Sequence, residues 1–162
     1  MATLATIGVY GFTLEAFLAA LRDADVSLVL DVRQRRGVRG SQYAWANSRR
    51  LQRALAEAGL GYRHHPELAT TTELRRLQYR ADARQGVGQR SRRELAPEFA
   101  ARYTAEVLDR ADLSALVAQL PAAGAGALLC VERDPEACHR SLVAARLAAE
   151  HGVRVVHLRP AG

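Results

Sequence analysis

The chain has 162 residues, 49% hydrophobic and 25% charged, a length and balance that suit one domain able to bury its own core. All 23 basic residues are arginine against 17 acidic ones, and the net charge of +6 favours polyanionic partners, although the absence of lysine beside abundant alanine also fits a coding bias. No apolar run approaches the ~18 residues of a membrane span, Met1 to Gly8 lacks the features of a secretory signal, and two cysteines cannot build a secreted disulfide framework, so we expect a cytoplasmic protein with reduced thiols and no membrane partner.

Thr3 to Val9 reads as a first strand ending at Gly8-Val9-Tyr10-Gly11, with Thr13 as the N-cap of a helix over Leu14 to Leu21. The two glycines let a backbone approach a phosphate or serve only a tight turn. Val26 to Val32 is the clearest buried strand, ending in Asp31-Val32-Arg33. The loop that follows carries Arg33, Arg35, Arg36 and Arg39 with two glycines and has neither helical nor strand period. At the carboxyl end of a strand it reads as an anion clamp, or as a solvated charge run, and Asp31 reads as the group that orients Arg33.

Tyr43 and Trp45 precede a helix from about Asn47 to Ala58, with Trp45 favoured as a core residue over a base-stacking platform. Leu60 to His64 forms a short third strand running into His65 and Pro66; alternation lets at most one of His64 and His65 face a site. Thr72 to Ala83 is helical by pattern. Arg84 to Arg93, with four arginines and two glycines, reads as a flexible basic excursion that grips a polyanion or stays disordered alone. Pro97 opens a helix to about Arg110, Leu113 to Leu120 forms another, and Pro121 to Gly126 is a connector.

Ala127 to Val131 is a strand broken at Asp134-Pro135, read as the N-cap and first residue of a helix whose pattern continues from Leu142 to Glu150 and stops at Gly152. Cys130 and Glu132 then lie at the strand end, and Cys138, His139, Arg140 and Ser141 near the helix start, where backbone N–H groups favour negative charge. Val153 to Leu158 is the last strand and carries His157. The alternation predicts a single α/β domain over 1–162: a mostly parallel sheet of about five strands flanked by helices, a Rossmann-like three-layer sandwich with a basic loop or helical excursion at about 72–110. In such sheets ligands bind beyond the carboxyl ends of the strands, where Tyr10, Asp31, Arg33, His64, His65, Cys130 and Glu132 all fall. That convergence is the main argument for one site.

Thr6-Ile7-Gly8, Asp31-Val32-Arg33, Tyr62-Arg63-His64, Cys130-Val131-Glu132 with Cys138-His139-Arg140-Ser141, and His157 resemble the ordered motifs of the bacterial family called domain of unknown function 488. The resemblance spans almost the whole chain, and its most specific part is Cys-x-Glu followed by Cys-His-Arg. It implies an α/β fold and a site around the cysteine motif, and carries no settled reaction.

Three chemistries compete for these residues. Metal binding by Cys130, Cys138 and His139 has suitable ligand types, but the spacing is not Cys-x₂₋₄-Cys and nearby arginines repel a cation, so no metal and no cofactor is assigned. Thiol catalysis by Cys130 or Cys138 gains from a helix N-terminus and Arg140, whereas a Cys-x₅-Arg phosphatase loop is absent, since Glu136 stands six after Cys130. The third actor is Glu132, which could activate water for attack on a sugar carbon or base while Arg33, Arg140, Arg36, Arg39, Tyr10, Asp31 and Ser141 bind substrate and His64 or His139 moves a proton. Its plainer role is a structural ion pair with Arg33 or Arg140. The combination favours an enzyme on nucleic acid, a nucleotide or another phosphorylated ligand, hydrolytic or base-excising. The alternatives are a non-catalytic nucleic-acid-binding module and a thiol or metal sensor.

Overall fold

The structure is a computed structural model and describes residues 1–161. Its elements run β1 (Thr3–Ile7), α1 (Leu14–Asp23), β2 (Val26–Asp31), α2 (Ser48–Glu57), β3 (Gly61–His64), α3 (Thr72–Arg84), α4 (Pro97–Glu106), α5 (Leu113–Gln119), β4 (Ala125–Leu129), α6 (Arg140–His151) and β5 (Arg154–His157). Local chemistry sets many of the boundaries. Thr13 and Thr71 accept hydrogen bonds from the amides of Ala16 and Leu74 at the starts of α1 and α3, Pro97 occupies the first turn of α4, and Gly152 ends α6 in the left-handed conformation with φ 64°.

All five strands are parallel, in the order β3-β2-β4-β1-β5. Alternate strand residues feed two cores. Leu4, Leu30, Leu128 and Cys130 face Leu74, Phe99, Tyr103, Leu116, Val143 and Leu147 on one side, while Ala5, Ile7, Val29, Ala127 and Leu129 meet Phe17, Leu21, Leu51 and Leu55 on the other. This is the expected three-layer α/β sandwich, with α1 and α2 on one face and α3 to α6 on the other. Among the described residues no helix is long and apolar enough to cross a membrane.

The structure departs from the sequence reading at three places. Ala125 and Gly126 are not connector but the start of β4, paired with Thr3 and Leu4 of β1; a Cβ on Gly126 would stand 2.7 Å from Leu120 Cδ2, so smallness here serves packing. The helix placed from Pro135 onward is interrupted: Pro135–Ala137 is one 3₁₀ turn, Cys138 is extended at φ −134°, and α6 starts only at Arg140. Asp134 makes no side-chain cap, and His139 is the residue that precedes α6. The basic stretch at 84–93 is not a free excursion but folds back over the carboxyl ends of the strands, held by the buried Arg92.

Candidate active site

Strand β2 ends on Asp31, and the chain bends so that Arg33 returns to it. The Asp31 carboxylate accepts from Arg33 Nε and Nη2, both at 2.9 Å, and from the Tyr62 hydroxyl at 2.6 Å, while Arg33 Nη1 reaches the Ala46 carbonyl at 2.8 Å. Arg33 is only 1% exposed, so this bidentate pair is a fixed strut. It anchors the arginine loop to the sheet.

Strand β4 ends one residue before Cys130, and the segment to Arg140 turns back to lay Cys138 and His139 against it. Cys130 Sγ lies 3.6 Å from Glu132 Oε2 and 3.7 Å from His139 Nδ1, and Cys138 Sγ lies 4.0 Å from the same nitrogen. His139 Nε2 donates to the Val32 carbonyl at 3.0 Å. Arg140 is fully buried under this group and donates from Nη1 to the Glu132 carbonyl at 2.7 Å and from Nη2 to the Arg133 carbonyl at 3.3 Å; its Nε has no partner among the described residues.

Burial governs the titration here. It pushes the Glu132 carboxyl up, reinforced by the Cys138 thiolate and opposed by Arg92. Burial also opposes ionisation of Cys138, yet the Cys130 thiol, Arg140 and His139 together hold Cys138 well below its ordinary value. Cys130 moves the opposite way, raised by its hydrogen bond to Cys138 and by burial. The Cys138 thiolate lifts His139 against the opposing effect of burial. Of the two thiols, Cys138 is therefore the one favoured to ionise, next to His139.

The loop after α3 supplies the roof. Arg92 Nε binds Asp82 at 3.1 and 3.0 Å, and its Nη1 reaches the Ala137 carbonyl at 2.8 Å and Glu132 Oε1 at a longer 3.4 Å. Gln89 Nε2 donates to the same Glu132 oxygen at 3.3 Å. The Arg90 guanidinium lies 5.0 Å from the Tyr10 ring centre and 5.2 Å from that of Tyr43, closing the roof onto the turn after β1. Between roof and floor is a cavity of about 620 Å³, within the range of small-molecule sites. Its lining holds six arginines, Arg33, Arg35, Arg39, Arg75, Arg90 and Arg92, against the single carboxylate of Glu132.

Of the residues singled out from sequence, Tyr10, Arg33, Arg39, Cys130, Glu132 and His139 line this cavity, and Cys138 lies directly behind Cys130 and His139. The others serve it from outside. Asp31 orients Arg33, Arg140 braces the Glu132 backbone, and Ser141 Oγ donates to the Cys138 carbonyl at 2.8 Å. Arg36 donates to the Tyr62 hydroxyl at 3.3 Å. Neither histidine of the pair reaches the cavity: His64 bonds the Arg33 carbonyl, and His65 sits between Glu67 and Gln119. Glu132 has neither of its expected arginine partners; its ion pair is with Arg92. Gln89, Arg90 and Arg92 escaped sequence reading because a loop without periodicity gives no sign of which arginine turns inward. Gly8 holds the β1–α1 turn against the Glu132 carbonyl oxygen, which a Cβ would overlap, so its smallness is used for backbone packing.

No curated protein and no solved structure matches the chain. Residues 13–147 match the family described as Domain of unknown function DUF488, and the chain belongs to that family.

Proposed function

We propose that this protein is an enzyme acting on nucleic acid or a nucleotide, with Glu132 as the acid–base group of a hydrolytic or base-directed reaction. The observation that carries the reading is one carboxylate on the floor of an arginine-lined cavity. Asp31 compensates Arg33 and Asp82 compensates Arg92, but among the described residues Arg35, Arg39, Arg75 and Arg90 have no acidic partner. Four uncompensated guanidinium groups around one mouth match a phosphorylated ligand.

The cavity has the volume of a single nucleotide unit rather than a duplex, so a base leaves its stack to enter. Glu132 then takes a proton from water as the water oxygen bonds to the sugar or base carbon, and returns that proton to the leaving group as its bond breaks. Gln89 and Arg92 fix the Oε1 side of the carboxylate during both transfers.

Glu132→Gln separates the enzyme from a binding module. The expected outcome is retained binding of labelled single-stranded DNA or RNA with turnover lowered at least ~100-fold, the usual scale for losing a positioned acid or base. Equal turnover by the wild type and the variant would remove Glu132 from the chemistry. Binding without turnover in either would favour the non-catalytic nucleic-acid module.

A further inference from the structure

The floor of the cavity contains more donor chemistry than an acid–base carboxylate uses. We infer that Cys130, Cys138 and His139 form a site for a divalent transition metal of the zinc class, with the fourth position open to the cavity beside Glu132. The two sulfurs and the imidazole nitrogen lie within 4.8 Å of one another, all three residues buried. Tetrahedral zinc with its ordinary bond lengths separates a sulfur from a nitrogen ligand by roughly 3.6 Å and two sulfurs by roughly 3.8 Å. The observed sulfur-to-Nδ1 distances are 3.7 and 4.0 Å. Both sulfur–nitrogen separations thus lie within a few tenths of an ångström of that geometry.

The imidazole is already oriented for this role. Val32 offers a carbonyl, which can only accept, so the proton on His139 Nε2 is fixed and Nδ1 is the nitrogen that faces both sulfurs. A ligand histidine whose second nitrogen donates to a backbone carbonyl is the usual outer-shell arrangement of zinc sites. The ligands also come from ordered structure, the residue after β4 and the two residues before α6.

Charge points the same way. Asp82 compensates Arg92, while Arg140 is 0% exposed and has no carboxylate partner among the described residues. The floor thus sets one buried guanidinium beside two thiols, an imidazole and the Glu132 carboxyl group, a set that has room for a further cation. Arg140 does not exclude the metal, because its Nη1 and Nη2 are spent on the Glu132 and Arg133 carbonyls. Cys130, His139 and Glu132 line the cavity whereas Cys138 does not, so solvent and ligand reach the centre from one side. Three protein ligands with one open side is the pattern of a reactive zinc centre rather than a closed structural one.

The site is tested on the full chain, reduced and treated with chelator, by titration with Co²⁺. One equivalent should bring the visible bands of tetrahedral cobalt and thiolate-to-cobalt charge transfer, both abolished by Zn²⁺. Cys138→Ser and His139→Gln should weaken cobalt binding by about 100-fold or more. Glu132→Gln should keep both the stoichiometry and the spectrum, so the metal site and the acid–base reading fail separately; loss of cobalt binding in that variant would contradict the open fourth position. Circular dichroism checks the fold of each variant. A measurement that needs no variant is the reaction of the wild-type thiols with a thiol reagent, which Zn²⁺ should slow at least tenfold. Absence of charge-transfer bands, together with thiols that react equally fast with and without Zn²⁺, would overturn the site.

Discussion

Three buried ionic residues set the terms of the site. Arg92 is held at both ends, by Asp82 and by Glu132, and has the Ala137 carbonyl as well. Removing it leaves two buried carboxylates with one fewer cation, so Arg92→Met should lower stability by about 3–5 kcal/mol, the scale for breaking a buried pair. Urea denaturation measures this, and adding Asp82→Asn should recover part of the loss; no change in midpoint would mean that water compensates both acids. His157 makes the residue-scale case for pH. Its Nδ1 lies 2.7 Å from Thr6 Oγ1, and burial, then Arg140 and Arg159, hold its titration below the ordinary 6.5. The unfolded chain therefore takes up this proton before the folded one as pH falls. Stability is unaffected well above pH 6.5 and decreases below it, down to the folded value. His157→Asn should flatten the acid side of a Tm against pH plot, and an unchanged acid side would exclude His157 as its source. Of these partnerships only Asp31 with Arg33 was legible in sequence, because two residues apart at a strand end leaves few other geometries. Arg92 and Glu132 are 40 positions apart, and nothing local announces their meeting.

Elements were legible where periodicity and caps were strong. Thr13, Pro97 and Gly152 mark helix ends by their own chemistry, and the apolar run of β2 can be little else. The reading failed at a short irregular turn, Pro135–Ala137, whose 3₁₀ geometry and the extended Cys138 after it bring Cys138 and His139 back to β4. The turn between β1 and α1 shows how tightly these segments are set: Gly8 meets the Glu132 carbonyl so closely that any Cβ displaces one of them. Gly8→Ala should therefore cost about 1–3 kcal/mol, as overpacking does, and should lower turnover more than nucleic-acid affinity. Crystallography or solvent exchange at 130–140 would reveal the displaced loop. Wild-type behaviour of Gly8→Ala would show that the turn has room the structure does not display.

At the scale of the whole molecule, an α/β alternation with parallel strands brings residues from distant positions to one edge, which is why the convergence of Tyr10, Arg33, Cys130 and Glu132 could be read before any coordinates. The order β3-β2-β4-β1-β5 could not, since pairing across the chain leaves no local signature. The fold also decides which charges matter. A net charge of +6 is spread over the surface, but Arg35, Arg39, Arg75 and Arg90 are gathered at the cavity. Replacing Arg35 and Arg39 together by alanine should weaken nucleic-acid binding uniformly across sequences and reduce the salt slope by about 1–2, with little change in stability because neither is buried. The most direct measurement of the central claim is the affinity of the wild-type protein for labelled single- and double-stranded DNA and RNA across a salt series. Binding should fall steeply with salt and prefer unpaired or displaced bases that fit the cavity. No binding at low salt would contradict that claim, and would leave the arginines as a feature of composition.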